Sequence, residues 1–192
     1  MKWGLLATAL VALLTTAPSA RAQEEADGLW SHLINRGTTT SWTVSPERPS
    51  PRVVDASGAP GGNALRVRAR RGANPWDVQA TSPAGGDIAA GDVVLLAFYA
   101  RAEQAAEGGS RLPVRLQLAG APYTSLLDGT KTIGTEWRQY CLSGVAAQAF
   151  RGDLTNVSIH LGAADQVVDL GPVFVFNLGA EFDRNQLPDC SE

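Results

Sequence analysis

Asp92-Val93-Val94-Leu95-Leu96-Ala97-Phe98-Tyr99-Ala100-Arg101-Ala102 decides how this chain folds. From Val93 to Ala100 the run is apolar at both parities, yet it is far too short to span a bilayer, so it reads as a strand covered on each face. Val167 to Phe176 has the same character. Around these two central strands the pattern changes to period two. In Asn63–Arg70 (NALRVRAR) and Leu112–Ala119 (LPVRLQLA), Arg66 and Arg68, or Arg115 and Gln117, alternate with apolar residues and leave one polar face. Further strands are expected at Trp76–Thr81, Tyr123–Leu127, Glu136–Ser143 and Asn156–Leu161, with the central ones extending over Asp92–Ala102 and Gln166–Asn177. Turn signals separate them at Ser57–Gly62, Arg71–Pro75, Pro83–Asp87, Glu107–Gly109 and Asp128-Gly129. Helical periodicity is nearly absent, and neither an internal repeat nor a dividing linker is visible. The expected fold is all-β, a sandwich or jelly roll.

The chain opens with Lys2, an apolar run from Gly4 to about Ala17, and small residues ending Ala20-Arg21-Ala22, the three-part pattern of a cleavable secretory signal. Residues 1–22 are therefore read as the signal and 23–192 as a single domain, secreted or periplasmic. No later segment is long and apolar enough to span a membrane. The only cysteines, Cys141 and Cys190, fall in the exported portion and are expected to form a disulfide that ties the polar tail from Asp183 to Glu192 onto the fold. A net charge of −3 offers no basic surface for a phosphate backbone, which argues against nucleic acid as a partner. Arg66 to Arg71, the densest cationic stretch, reads as the solvated side of a strand.

Parts for catalysis are scarce. The sequence has no Gly-x-Ser-x-Gly, His-Glu-x-x-His or Cys-x-x-Cys, and its two histidines are His32 and His160. Asp77, Glu136, Asp169 and Glu181 are available acids, but glycoside hydrolysis needs two carboxyls facing each other at a defined separation. Binding is better supplied. A sugar offers an apolar C–H face to an aromatic ring and hydroxyls to amides, imidazoles and guanidinium groups. Asn74-Pro75-Trp76-Asp77-Val78-Gln79 holds that mixture within one short stretch.

At these residues the chain resembles the carbohydrate-binding modules of families 4, 9 and 22, which share a galactose-binding-type β-jelly roll. The resemblance covers Gly61 to Gly179 in order. It runs through Gly62-Asn63-Ala64-Leu65-Arg66-Val67, the Trp76 stretch, Phe98-Tyr99-Ala100-Arg101, Glu136-Trp137-Arg138-Gln139-Tyr140 and Ser158-Ile159-His160-Leu161-Gly162. It implies a non-catalytic groove for a polysaccharide or oligosaccharide, such as a plant or algal cell-wall glycan. Trp76, Gln79 and His160 carry over as groove residues, and Arg115, Gln117 and Tyr123 by strand position. Trp137 and Tyr140 match positions that are structural in the family. One conflict remains: on a continuous strand Trp76 and Gln79 would point to opposite faces unless a bulge or rim position intervenes. Such modules usually accompany a hydrolase, and since nothing follows Glu192 this one is expected to act alone or with a separate enzyme; a monomer is expected. They also commonly hold a structural calcium, for which no acid is clearly matched near Gly171-Pro172-Val173. The alternative reading is a small exported jelly-roll glycoside hydrolase or polysaccharide lyase using one carboxylate or His160. A third is an envelope interaction domain with a flat polar face.

Overall fold

The computed structural model describes residues 28–46, 50–106 and 109–190; the expected signal, residues 1–22, and the start of the exported portion at Gln23 lie outside them. The described residues form two antiparallel five-stranded sheets. In chain order the strands are β1 (Thr43–Ser45), β2 (Arg52–Asp55), β3 (Asn63–Ala69), β4 (Gln79–Pro83), β5 (Val93–Gln104), β6 (Ser110–Leu118), β7 (Ser125–Ile133), β8 (Arg138–Val145), β9 (Thr155–His160) and β10 (Gln166–Gly179). One sheet has the order β1-β4-β9-β6-β7 and the other β2-β3-β10-β5-β8. This is the expected β-sandwich jelly roll.

Period-two alternation fills the space between the sheets. Ala80, Val157, Ile159, Val114, Leu116 and Leu127 from the first sheet meet Val67, Leu96, Phe98, Ala100, Val168 and Val175 from the second in one buried cluster. Phe98 stacks on Tyr140 with ring centroids 5.6 Å apart, which gives Tyr140 the structural place its resemblance implied. The indole of Trp42, just before β1, donates to the carbonyl of Gly171 on β10 at 2.8 Å and so pins the first sheet's edge to the second sheet's central strand.

β10 and β5 are central, as their two-sided apolar runs require. Their outward face is covered by both ends of the described chain: Leu29 and Leu33 at the start, and Phe182, Leu187 and Cys190 at the end, pack on Val93, Leu95, Phe176 and Leu178. A disulfide joins Cys141 of β8 to Cys190 and holds that tail in place. Farther along the same outward face, the fully buried Asp169 accepts from Arg66 at 2.7 Å and from Arg101 at 3.0 Å. Both guanidinium groups also meet Glu103, and Arg101 lies 5.5 Å from the ring centre of Trp137. Arg66 is therefore the counter-ion of a buried carboxylate and not simply a solvated strand residue.

Several boundaries differ from the expectation. β1 and β2 were not foreseen, because three- and four-residue strands among prolines carry little periodic signal. Asp128-Gly129, read as a turn, sits mid-strand in β7 opposite Arg115 and Val114. Packing overrides the turn propensity there: a Cβ on Gly129 would come within 2.6 Å of the Leu142 side chain, so the missing side chain makes room for β8.

Candidate functional site

Registered antiparallel strands place side chains of one parity in rows across a face. On the outward face of the first sheet, Thr81, Ser158, Arg115 and Asp128 form one row, Asn156, Gln117 and Ser125 a second, and Gln79 with His160 a third. These residues face away from the core, yet Ser158 is 0% exposed, His160 4% and Gln117 5%. Side chains rising around them make this face a recessed polar floor.

Two exposed aromatic rings stand at opposite ends of the floor along β9. Trp76 is beside His160, with ring centroids 6.2 Å apart, and Tyr123 lies in the β6–β7 turn next to the Gln117 and Asn156 row. Trp76 is not on β4 at all. Asn74-Pro75 starts a short 3-10 turn, Pro75–Asp77, in which the Asn74 backbone N–H donates to the Asp77 carboxylate at 2.9 Å. That bond holds the Asp77 carboxyl below the usual carboxylate range. The turn is stapled to the end of β9, since Gly162 N–H donates to Pro75 O at 2.8 Å and Leu161 N–H to Val78 O at 2.7 Å. A Cβ at Gly162 would sit 3.0 Å from three backbone atoms of residues 74–78, which explains a glycine there. The strand begins only at Gln79, so the parity conflict between Trp76 and Gln79 disappears. At the other end Tyr123 has φ 55°, a left-handed conformation that costs a non-glycine residue roughly 1 kcal/mol or more.

Trp76, Gln79, His160, Arg115, Gln117 and Tyr123 thus all fall on one sheet and its bordering turns. Reading from the sequence missed Asn156, Ser158, Thr81 and Asp128. The first two share the parity of His160 on β9, and Thr81 that of Gln79 on β4, so strand alternation was the available signal. Ser158 Oγ donates to Gln79 Oε1 at 3.2 Å. Arg115 Nε lies 2.9 Å from Asp128 Oδ2, but without the alignment of a hydrogen bond, so their contact is chiefly electrostatic. Asp128 is the carboxylate on this floor among the described residues, and it is engaged. Of the acids weighed from the sequence, Asp77 caps its turn, Asp169 lies on the other sheet and Glu136 and Glu181 are in loops outside both sheets, so they form no facing pair. His32 is exposed, with Nδ1 3.2 Å from the Asn177 carbonyl, and does not join His160.

Burial, aided by the Arg115 charge and opposed by Asp128, lowers the pKa of His160 from the ordinary imidazole value. The imidazole is neutral at pH 7, with one ring nitrogen to donate and one to accept. Because the unfolded state binds its proton first, this contribution to stability is present above about pH 6.5 and is lost as pH falls below it. The thermal midpoint should therefore decline from pH 7 to 5, and His160→Gln should flatten part of that slope; an identical slope in the variant would assign it to other groups.

Among the described residues, no group of three or more His, Cys, Asp or Glu side chains is placed to hold a metal ion. The Gly171 carbonyl, in the segment Gly171-Pro172-Val173, accepts the Trp42 indole N–H. Nor is any described helix long and apolar enough to cross a membrane. An apolar cleft of about 470 Å³ lies on the opposite sheet between Trp30, Tyr99, Phe174, Phe176 and the tail, away from every residue discussed for the floor.

No protein-family model matches the sequence, and no curated protein does either. Solved structures do match. A CBM4 module aligns with a TM-score of 0.54 and 18% identity over 72% of this chain and 95% of its own. The N-terminal cellulose-binding domain of Cellulomonas fimi β-1,4-glucanase C gives a TM-score of 0.56 and 21% identity over 75% of this chain and 95% of its own. The fold is that of the carbohydrate-binding-module jelly rolls. The same jelly roll recurs in the CBM22-1-GH10 modules of Clostridium thermocellum xylanase 10B complexed with xylohexaose, with a TM-score of 0.53 and 13% identity over 79% of this chain and 30% of that longer one.

Proposed function

We propose that this protein binds a polysaccharide or oligosaccharide, without transforming it, along the outward face of the β1-β4-β9-β6-β7 sheet. A plant or algal cell-wall glycan is the ligand class that the family resemblance favours. Trp76 and Tyr123 serve as stacking surfaces at the two ends, and Gln79, His160, Arg115 and Gln117 meet hydroxyls between them. The observation that carries the reading is the recessed polar floor bordered by two exposed rings on opposite ends of one sheet. The jelly-roll neighbours described as cellulose-binding or as complexed with xylohexaose add to it. We propose further that residues 1–22 are removed on export and that 23–192 acts as a single monomeric binding domain outside the cytoplasm, alone or beside a separate enzyme.

Trp76→Ala is the direct test. Trp76 is 53% exposed, so its truncation opens no core cavity and the thermal midpoint should stay within a few degrees of the parent. Loss of a stacked ring worth about 1 kcal/mol should slow migration less, and retain the protein less, on an affinity gel carrying the bound glycan. Full retention of the folded variant would remove Trp76 from the groove. Sustained release of reducing ends from xylans, glucans or mannans by the pure protein would replace binding with hydrolysis.

A further inference from the structure

β2 pairs with β3 only as far as Arg66, so Val67 to Ala69 run on with an open edge on that side. A cavity of about 230 Å³ opens there between the two sheets. Val44 of β1, Val67 of β3 and Val78 give it apolar walls, and Arg68, Arg70 and Arg71 complete the lining. Asp77 lies among them, directly after the exposed Trp76, so the cavity sits at the Trp76 end of the floor. The arginine loop is tied to the residues that follow His160: Gly72 N–H donates to the Gly162 carbonyl at 2.9 Å, and Arg71 Nε to that of Ala163 at 3.1 Å. The Arg68 side chain is exposed and makes no hydrogen bond or ion pair among the described residues. Arg70 lies 3.6 Å from Asp165, but these side chains are 82% and 65% exposed, and water screens such a pair. Asp77 and Asp165 are the carboxylates nearby, and both are engaged: Asn74 donates to Asp77 at 2.9 Å from its backbone, and the Arg71 backbone N–H donates to Asp165 at 2.8 Å.

An apolar recess lined by guanidinium groups complements a carboxylate carried on a carbon ring, because the planar fork of arginine matches the two oxygens and the walls take the C–H surface. The volume falls below the roughly 300–1,000 Å³ of pockets that enclose a whole ligand, so it suits one substituent of a longer chain. We propose that this cavity takes the carboxylate of a uronic acid unit on a glycan whose chain continues over Trp76, which makes the ligand an acidic polysaccharide and Arg68, Arg70 and Arg71 its specificity-determining residues. This rests on the carbohydrate reading above and adds to it the charge of the ligand.

The experiment runs the parent, Arg68→Gln, the double variant Arg70→Gln with Arg71→Gln, and Arg138→Gln on affinity gels. The gels contain a glucuronoxylan or the same polysaccharide after carbodiimide activation and borohydride reduction, which turns each carboxylate into a neutral hydroxymethyl group. The parent should bind the acidic form roughly tenfold more tightly than the reduced form. Arg68→Gln and the double variant should lose that preference while binding the reduced form as the parent does, with thermal midpoints unchanged because the substitutions are on the surface. Arg138 is exposed on β8, at the opposite edge of the second sheet, so Arg138→Gln should keep the full preference. Equal binding of both forms by the parent overturns the carboxylate site and leaves the carbohydrate reading standing. A preference that survives in Arg68→Gln and in the double variant, or that Arg138→Gln weakens equally, overturns it too, because the attraction would then belong to the whole surface. A preference for a sulfated glycan over its desulfated form, with none between the carboxylate and reduced forms, overturns the carboxylate in favour of a sulfate ester. If the parent is retained by no glycan, acidic or neutral, in a panel of xylans, glucans and mannans, the carbohydrate reading itself fails and the site fails with it.

Discussion

Asp169→Ala should lower stability by about 3 kcal/mol, because it leaves Arg66 and Arg101 side by side with their shared buried anion removed. The Asp169 side chain is 0% exposed, while those of Arg66 and Arg101 are 19% and 27% exposed, so the arginines can recover some hydration and the loss belongs at the lower end of the range for broken buried pairs. For a chain of this size the shift corresponds to a midpoint roughly 6–12 °C lower. Glu103 touches both guanidinium groups from a more exposed position and softens the effect without replacing the lost carboxylate. Binding of glycan by the folded fraction should be unchanged, since the network lies on the other sheet. A loss under 1 kcal/mol in chemical unfolding would show that the arginines reach water freely once the carboxylate is gone.

Removing the disulfide should have an effect of similar size or larger. Cys141 and Cys190 are 49 positions apart, and closing a loop of that length constrains the unfolded chain by about 4 kcal/mol on chain-entropy grounds. The bond also secures contacts in the folded state. Phe182 and Leu187 pack on Val93, Leu95, Phe176 and Leu178, and Lys131 Nζ donates to the Cys190 carbonyl. Cys141→Ser with Cys190→Ser is expected to lower the midpoint by roughly 10 °C or more and to raise dye binding to the uncovered apolar face. The floor on the far sheet should still hold its glycan at temperatures where the variant is folded. A double variant as stable as the parent would mean that the tail's apolar contacts suffice alone.

The architecture was legible where composition leaves one solution. β5 and β10 could only be covered strands, and β6 announced its outward Arg115 and Gln117 by alternation with Leu112, Val114 and Leu116. The disulfide followed from two cysteines with no other partner. What escaped reading was decided by contacts between residues distant in sequence. Arg66 looks solvated until β10 brings Asp169 beneath it. Asp128-Gly129 spells a turn until Leu142 from β8 is seen to need the space above Gly129. From Trp76 onward the sequence has the pattern of one strand, with Asn74-Pro75 ending a loop, whereas Asp77 makes the stretch a capped turn. Asn156 and Ser158 share the parity of His160, but serine and asparagine on a strand signal little until facing strands leave them enclosed.

Leu29 and Cys190 rest on the same sheet, the one that turns its back on the recessed floor. Anything attached near either position, whether a fusion partner, a bead or a cantilever tip, approaches from behind and leaves the floor pointing outward. Attachment at either position therefore leaves the floor facing away from the point of attachment.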